Sequence, residues 1–130
     1  TLLYEATDAL TRSGIGQRAC IGLGGDTVSG THFVDVLAFF EDDPHTDRVV
    51  LIGEIGGMGE QHAARFIREQ MTKPIVAYVA GKTSPKNQRM GHTGAIIEDE
   101  IGGYDEKIKA LRQAGVRLAE SPDHITALLE

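Results

Sequence analysis

His92 sits in the stretch Met90-Gly91-His92-Thr93-Gly94-Ala95-Ile96. Glycine precedes it and Thr-Gly-Ala follows, so the imidazole is little hindered and can reach a reactive phosphorus. Backbone N–H groups beside it could face an anion. This suits a histidine nucleophile that takes and gives a phosphoryl group. Local spacing alone also fits an ordinary loop histidine. Glu54 is the sole carboxylate of the turn Gly53-Glu54-Ile55-Gly56-Gly57. A carboxylate bonded to one ring nitrogen fixes the imidazole tautomer and leaves the other nitrogen free to attack. Taken by itself, Glu54 reads equally well as a solvated turn residue.

The other chemistry-bearing positions are less pointed. Gly24-Gly25-Asp26 could line a substrate site or a helix start, or be a plain turn. It gives no dinucleotide fingerprint, because the G-x-G-x-x-G spacing is absent. Lys82, Lys86 and Arg89 make a basic stretch that either helps hold phosphate or is simply solvated. Cys20 falls inside an expected strand and reads as a buried small apolar residue. His32, His45, His62 and His124 show no zinc spacing, so no metal site is expected.

These residues need elements to position them. Thr1 to Arg12 carries apolar residues at helical spacing, and Gly14 and Gly16 end it. Arg18 to Leu23 reads as a short buried strand. Thr31 to Glu41 is a helix with Thr31 as N-cap and Phe33, Val36, Leu37 and Phe40 on one face. Arg48 to Ile52 is nearly all apolar, as in a strand covered on both faces. A helix from Gly59 to Met71 turns Ala63, Phe66, Ile67 and Met71 inward, and Pro74 to Val79 is the next strand. Tyr104 to Ala114 is a helix with Ile108 and Leu111 inward. Val116 to Leu118 is a short strand, and Ser121-Pro122-Asp123 opens a last helix.

Strands alternating with helices point to an α/β fold: a flavodoxin-like parallel sheet with helices on both faces, lacking its first strand. In such sheets ligands bind beyond the carboxyl ends of the strands. The loops at Gly24–Gly30, Gly53–Gly57 and Gly81–Gly94 all leave those ends, which puts Glu54 and His92 on one sheet edge.

With 130 residues, the chain is one domain. Its net charge of -6 argues against a general nucleic-acid binder, which usually carries a basic face. No apolar run is long enough for a transmembrane helix, and the start does not read as a signal peptide. A single cysteine makes no internal disulfide. The expected setting is the cytoplasm, or the mitochondrial matrix in a eukaryote.

Several stretches, in order, resemble the C-terminal ligase-CoA domain of the succinyl-CoA synthetase α-subunit family. They are Thr1-Leu2-Leu3-Tyr4-Glu5-Ala6, Gly22-Leu23-Gly24-Gly25-Asp26, Gly30-Thr31-His32-Phe33-Val34-Asp35, Ile52-Gly53-Glu54-Ile55-Gly56-Gly57, Thr72-Lys73-Pro74-Ile75-Val76 and Arg89 to Ile96. The resemblance implies that His92 is phosphorylated during turnover and that Glu54 contacts it. It implies a second phosphate hold at helix starts, one of them at or just before Thr1. It further implies phosphate or substrate contacts at Gly25, Asp26, Gly56, Gly57, Gly91, Thr93 and Gly94.

The implied reaction joins CoA, phosphate and a nucleoside di- or triphosphate with magnesium. These are bound mainly by an N-terminal CoA-binding domain of a longer parent chain and by a β subunit. The 130 residues, as a fragment of such a parent, would be inactive alone. Succinate is the default acid, with malate and citrate as alternatives. A non-catalytic assembly or regulatory module is the reading of another kind. The chain departs from the family at Thr93 (usually alanine), at Thr27 (commonly proline) and at Glu98-Asp99-Glu100, where the family is glycine-rich.

Overall fold

A computed structural model of the chain describes residues 1–25, 28, 30–83 and 102–130. The elements run α1 (Leu2–Arg12), α2 (Phe33–Asp42), β1 (Val49–Glu54), α3 (Gly59–Gln70), β2 (Ile75–Ala80), α4 (Tyr104–Gln113), β3 (Arg117–Leu118) and α5 (His124–Leu129). The strands form a parallel sheet in the order β1-β2-β3. Parallel neighbours need a crossover, and α3 and α4 supply the two crossovers here.

The faces of the sheet follow from the two-residue period of a strand. Val49, Leu51, Ile75, Ala77 and Val79 point to one face, where they pack with Leu37 of α2, Ala63, Ala64 and Ile67 of α3, and Leu111 of α4. Val76 points to the other face and joins Ala6 and Leu10 of α1 and Ile125 and Leu129 of α5, with Val50, Ile52 and Tyr78 packed against them. The sheet is therefore covered on both sides, which is why β1 and β2 are nearly continuous apolar runs. The α/β fold with a parallel sheet and helices on both faces agrees with the sequence reading.

Two local expectations are corrected. Residues 18–23 are not a strand. A strand exists only with a ladder partner. In the flavodoxin order 2-1-3-4-5 the second strand pairs only with the first, and none of the described residues supplies that first strand. The segment lies along α1 instead: Thr7 Oγ1 donates to Cys20 Sγ at 3.8 Å, and a Cβ on Gly22 would sit 3.7 Å from the Leu3 side chain. Cys20 is consequently exposed, not buried. The N-cap of α2 is His32 and not Thr31; the His32 N–H donates to Asp35 Oδ2 at 2.9 Å.

At the amino ends of the strands a polar cluster ties α2 to β2. Lys73 Nζ donates to the carbonyls of Phe40 and Asp43, at 2.6 Å each. A cation there satisfies the open carbonyls at a helix C-terminus and suits its partial negative charge. Glu41 accepts the N–H and hydroxyl of Thr72. Asp43 accepts the Thr46 hydroxyl at 2.7 Å, the His45 N–H at 3.2 Å and Arg18 Nε at 3.1 Å. The Thr72 hydroxyl holds the Glu41 carboxyl below its ordinary pKa, and the Thr46 hydroxyl does the same for Asp43.

Candidate active site

The chemistry expected of this chain lies at the opposite, carboxyl end of the sheet. β1 ends at Glu54, which is half-buried. By the period of the strand, Glu54 shares the α1/α5 face with Val50 and Ile52. Its register partner on β2 is Ala80. The chain leaves β2 at this point, and residues 84–101 follow. Gly91, His92, Thr93 and Gly94, together with Lys86, Arg89 and Glu98-Asp99-Glu100, lie outside the described residues. Description resumes at Gly102, whose carbonyl accepts the Gly56 N–H at 2.9 Å. The segment that carries His92 thus leaves beside Glu54 and returns against the turn that follows it.

That turn depends on its glycines. Gly56 has φ +97° and Gly57 φ +61°, a region that side chains with a Cβ rarely enter. Between them and the strand, Ile55 is buried against Tyr104 of α4. The approach of Gly102 is close as well: a Cβ there would lie 3.4 Å from the Gly57 nitrogen. Of the expected site residues, the structure brings Glu54, Gly56 and Gly57 together on one rim.

The turn is braced from below by two residues that the sequence reading passed over. Glu60 opens α3 and Lys107 lies on α4; both are buried, and they form an ion pair. Glu60 Oε1 accepts the backbone N–H of Glu54 at 3.1 Å. Lys107 Nζ donates to Glu60 Oε2, to the Gly57 carbonyl at 3.0 Å and to Gln61 Oε1 at 3.3 Å. All three donors of the ammonium are used. Gly53 leaves room for the Glu60 carboxylate, since a Cβ there would stand 2.7 Å from both Cγ and Oε1.

A signal for this pair was present in the sequence. Glu60 occupies the inward stripe of Ala63, Ala64 and Ile67, and Lys107 that of Tyr104, Ile108 and Leu111. Opposite charges on the apolar stripes of two packed helices announce a buried pair.

The remaining candidates stand apart from these bonds. Thr1 is the exposed N-cap position of α1, with its carbonyl accepting the Glu5 N–H at 3.1 Å. Gly25 is half-buried, and Asp26 lies outside the described residues. Neither Thr1 nor Gly25 takes part in the hydrogen bonds that hold the turn. Lys82 is exposed at the start of the loop after β2.

Comparison with known proteins decides the family. The family model described as CoA-ligase matches residues 1–117. The chain belongs to the CoA-ligase family. Among curated relatives of this CoA-ligase domain, the succinate–CoA ligase [ADP-forming] subunit alpha 2 of Archaeoglobus fulgidus is 53% identical over 129 residues, covering 99% of this chain and 45% of the relative. The corresponding subunit alpha from Staphylococcus aureus is 50% identical over 129 residues, covering 99% and 43%. The chain spans less than half the length of these relatives. A solved ATP citrate lyase from Methanosaeta concilii, in complex with (3S)-citryl-CoA, superposes with a TM-score of 0.82 at 30% identity, covering 99% of this chain and 23% of that one. The ATP citrate lyase from Methanothrix soehngenii, bound to citrate and coenzyme A, superposes equally well.

Proposed function

We propose that this CoA-ligase domain is the phosphohistidine-carrying part of an ADP- or GDP-forming acyl-CoA synthetase α subunit, with succinate as the acid. Three transfers make up the reaction. A phosphate oxygen attacks the thioester carbonyl of the acyl-CoA; the CoA thiolate leaves and takes up a proton, giving an acyl phosphate. The free ring nitrogen of His92 attacks the phosphorus, and the carboxylate leaves. The terminal oxygen of a nucleoside diphosphate then attacks the same phosphorus; the N–P bond breaks, and triphosphate and neutral imidazole result.

In this reading Glu54 accepts the N–H of the other ring nitrogen and so keeps the attacking nitrogen unprotonated. Gly57 and the loop glycines allow close approach of the phosphoryl oxygens, and the helix start at Thr1 offers them N–H donors. Gly25, Asp26, Gly91, Thr93 and Gly94 complete the contacts to phosphate or acid.

CoA and nucleotide are held mainly by an N-terminal CoA-binding domain of a longer parent chain and by a β subunit. Magnesium neutralises the nucleotide phosphates when bound. Among the described residues no three His, Cys, Asp or Glu side chains cluster to hold a metal ion. Among the described residues no helix is long and apolar enough to cross a membrane. The cytoplasm, or a mitochondrial matrix, is the compartment that fits these substrates.

The observation that carries the proposal is the rim geometry. The His92-bearing segment departs from the register partner of Glu54 and is tied back to Gly56 by a hydrogen bond of 2.9 Å. The identity of 50–53% to succinate–CoA ligase α subunits favours succinate over citrate, since the citrate lyases stand at 30%.

The test uses the full-length parent with its partner subunit and nucleoside triphosphate labelled at the γ-phosphorus. An acid-labile, base-stable label that is lost in His92→Ala is expected. Labelling that persists in His92→Ala removes the relay. A wild-type complex that takes no label favours the non-catalytic module instead. Acid-dependent turnover with succinate, malate and citrate assigns the acid.

A further inference from the structure

We infer that the buried Lys107–Glu60 pair is a positioning device for Glu54, an inference that rests on the phosphoryl relay proposed above. The pair grips the turn at both ends. Glu60 Oε1 holds the Glu54 N–H at the start, and Lys107 Nζ holds the Gly57 carbonyl at the finish. Between the two bonds lie Ile55, buried beneath the rim, and Gly56, whose N–H is committed to Gly102. The backbone on either side of Glu54 is thereby fixed to α3 and α4 at once, and with it the height of the Glu54 carboxylate above the sheet.

Stability alone is a poor reason for such a pair. Taking two opposite charges out of water costs about as much as their attraction returns, and apolar residues of similar volume often serve the fold as well or better. What apolar residues cannot do is offer an acceptor to the Glu54 N–H and a donor to the Gly57 carbonyl, three residues apart in the turn between β1 and α3. The fit is close enough that residue 53 has no room for a Cβ. The imidazole that Glu54 orients must meet phosphorus in line, and a misplacement of about 1 Å at such a site costs on the order of 10²-fold in rate.

The experiment compares wild type, Lys107→Met and the double variant Glu60→Leu/Lys107→Met in the full-length subunit with its partner. The double variant removes both charges, so its thermal stability is expected to fall less than that of Lys107→Met, which leaves Glu60 as a lone buried charge. Its kcat for labelling His92 is nevertheless expected to fall about tenfold or more, with KM for the nucleotide within about twofold. Recovery of kcat together with stability would show that the pair serves the fold alone, and would overturn the inference.

Hydrogen exchange in the intact Lys107→Met complex gives a reading that needs no chemistry. The Glu54 amide is expected to exchange faster while residues 75–80 stay protected. Unchanged protection at Glu54 overturns the inference, whether or not the double variant assembles. A wild-type complex that takes no label counts against the relay alone, and the positioning claim is then judged on exchange.

Discussion

Replacing Gly53 by alanine is the sharpest single-residue probe of the rim. The new Cβ would stand 2.7 Å from Glu60 Cγ, so the carboxylate must swing away from both Glu54 and Lys107. A loss of roughly 1–3 kcal/mol is expected from this overpacking, read as a lower urea midpoint with an unchanged slope. Glu54→Gln does the reverse: it keeps the side-chain shape and removes the charge. Under the proposed relay, His92 labelling is expected to slow on the order of 10²-fold through loss of tautomer control, with the urea midpoint close to wild type. The sequence placed Glu54 at the end of an apolar strand and before a glycine turn, and that position is what the structure shows; taken alone, the carboxylate read equally well as a solvated turn residue. Glu60 and Lys107 were harder to see. Their helices look amphipathic without them, and only the pairing of two packed helices shows that the charges meet.

At the scale of elements, the polar cluster at the amino ends of the strands decides how α2 and β2 stay together. Lys73→Ala removes a cation from two carbonyls of the α2 terminus. A charged hydrogen bond contributes about 1.5–3 kcal/mol, so a clear fall in the urea midpoint is expected. The carboxylates give this cluster a pH dependence with a definite sign. Glu41 and Asp43 are held below their ordinary pKa values by the hydroxyls of Thr72 and Thr46. The stability they contribute is fully present above the ordinary carboxylate range of about 4 and is lost as pH falls through their lowered values. A series of urea melts from neutral to acid pH is expected to show this decline, and Asp43→Asn to flatten it. The helices and the two long strands could be read from their periods and from apolar runs. The stretch 18–23 could not, because an apolar run becomes a strand only when a neighbour offers a ladder. For the same reason Cys20 lies in the open and not in a core.

For the molecule as a whole, stability rests on two apolar layers that sandwich one sheet. Leu111 is fully buried in the larger layer, and Leu111→Ala is expected to cost roughly 2–5 kcal/mol, measurable by thermal or chemical unfolding. That site is far in function from the rim, so nucleotide KM is expected to hold in whatever fraction remains folded. The overall architecture was legible because alternating strands and helices leave few arrangements; the proposed meeting of Glu54 with His92 rests on the resemblance and on sheet topology, and His92 lies outside the described residues. The bond from Gly56 to Gly102 carries one more consequence. It acts as a clasp: both feet of the intervening excursion are fixed to the scaffold, one by β2 and one by this bond. Lengthening a clasped excursion is thermodynamically mild, about 0.6 kcal/mol for each doubling. The chain between the feet can therefore change in length at little cost to the fold while the turn at the rim keeps its place. A lineage built this way can vary that stretch without rebuilding the frame that holds the turn.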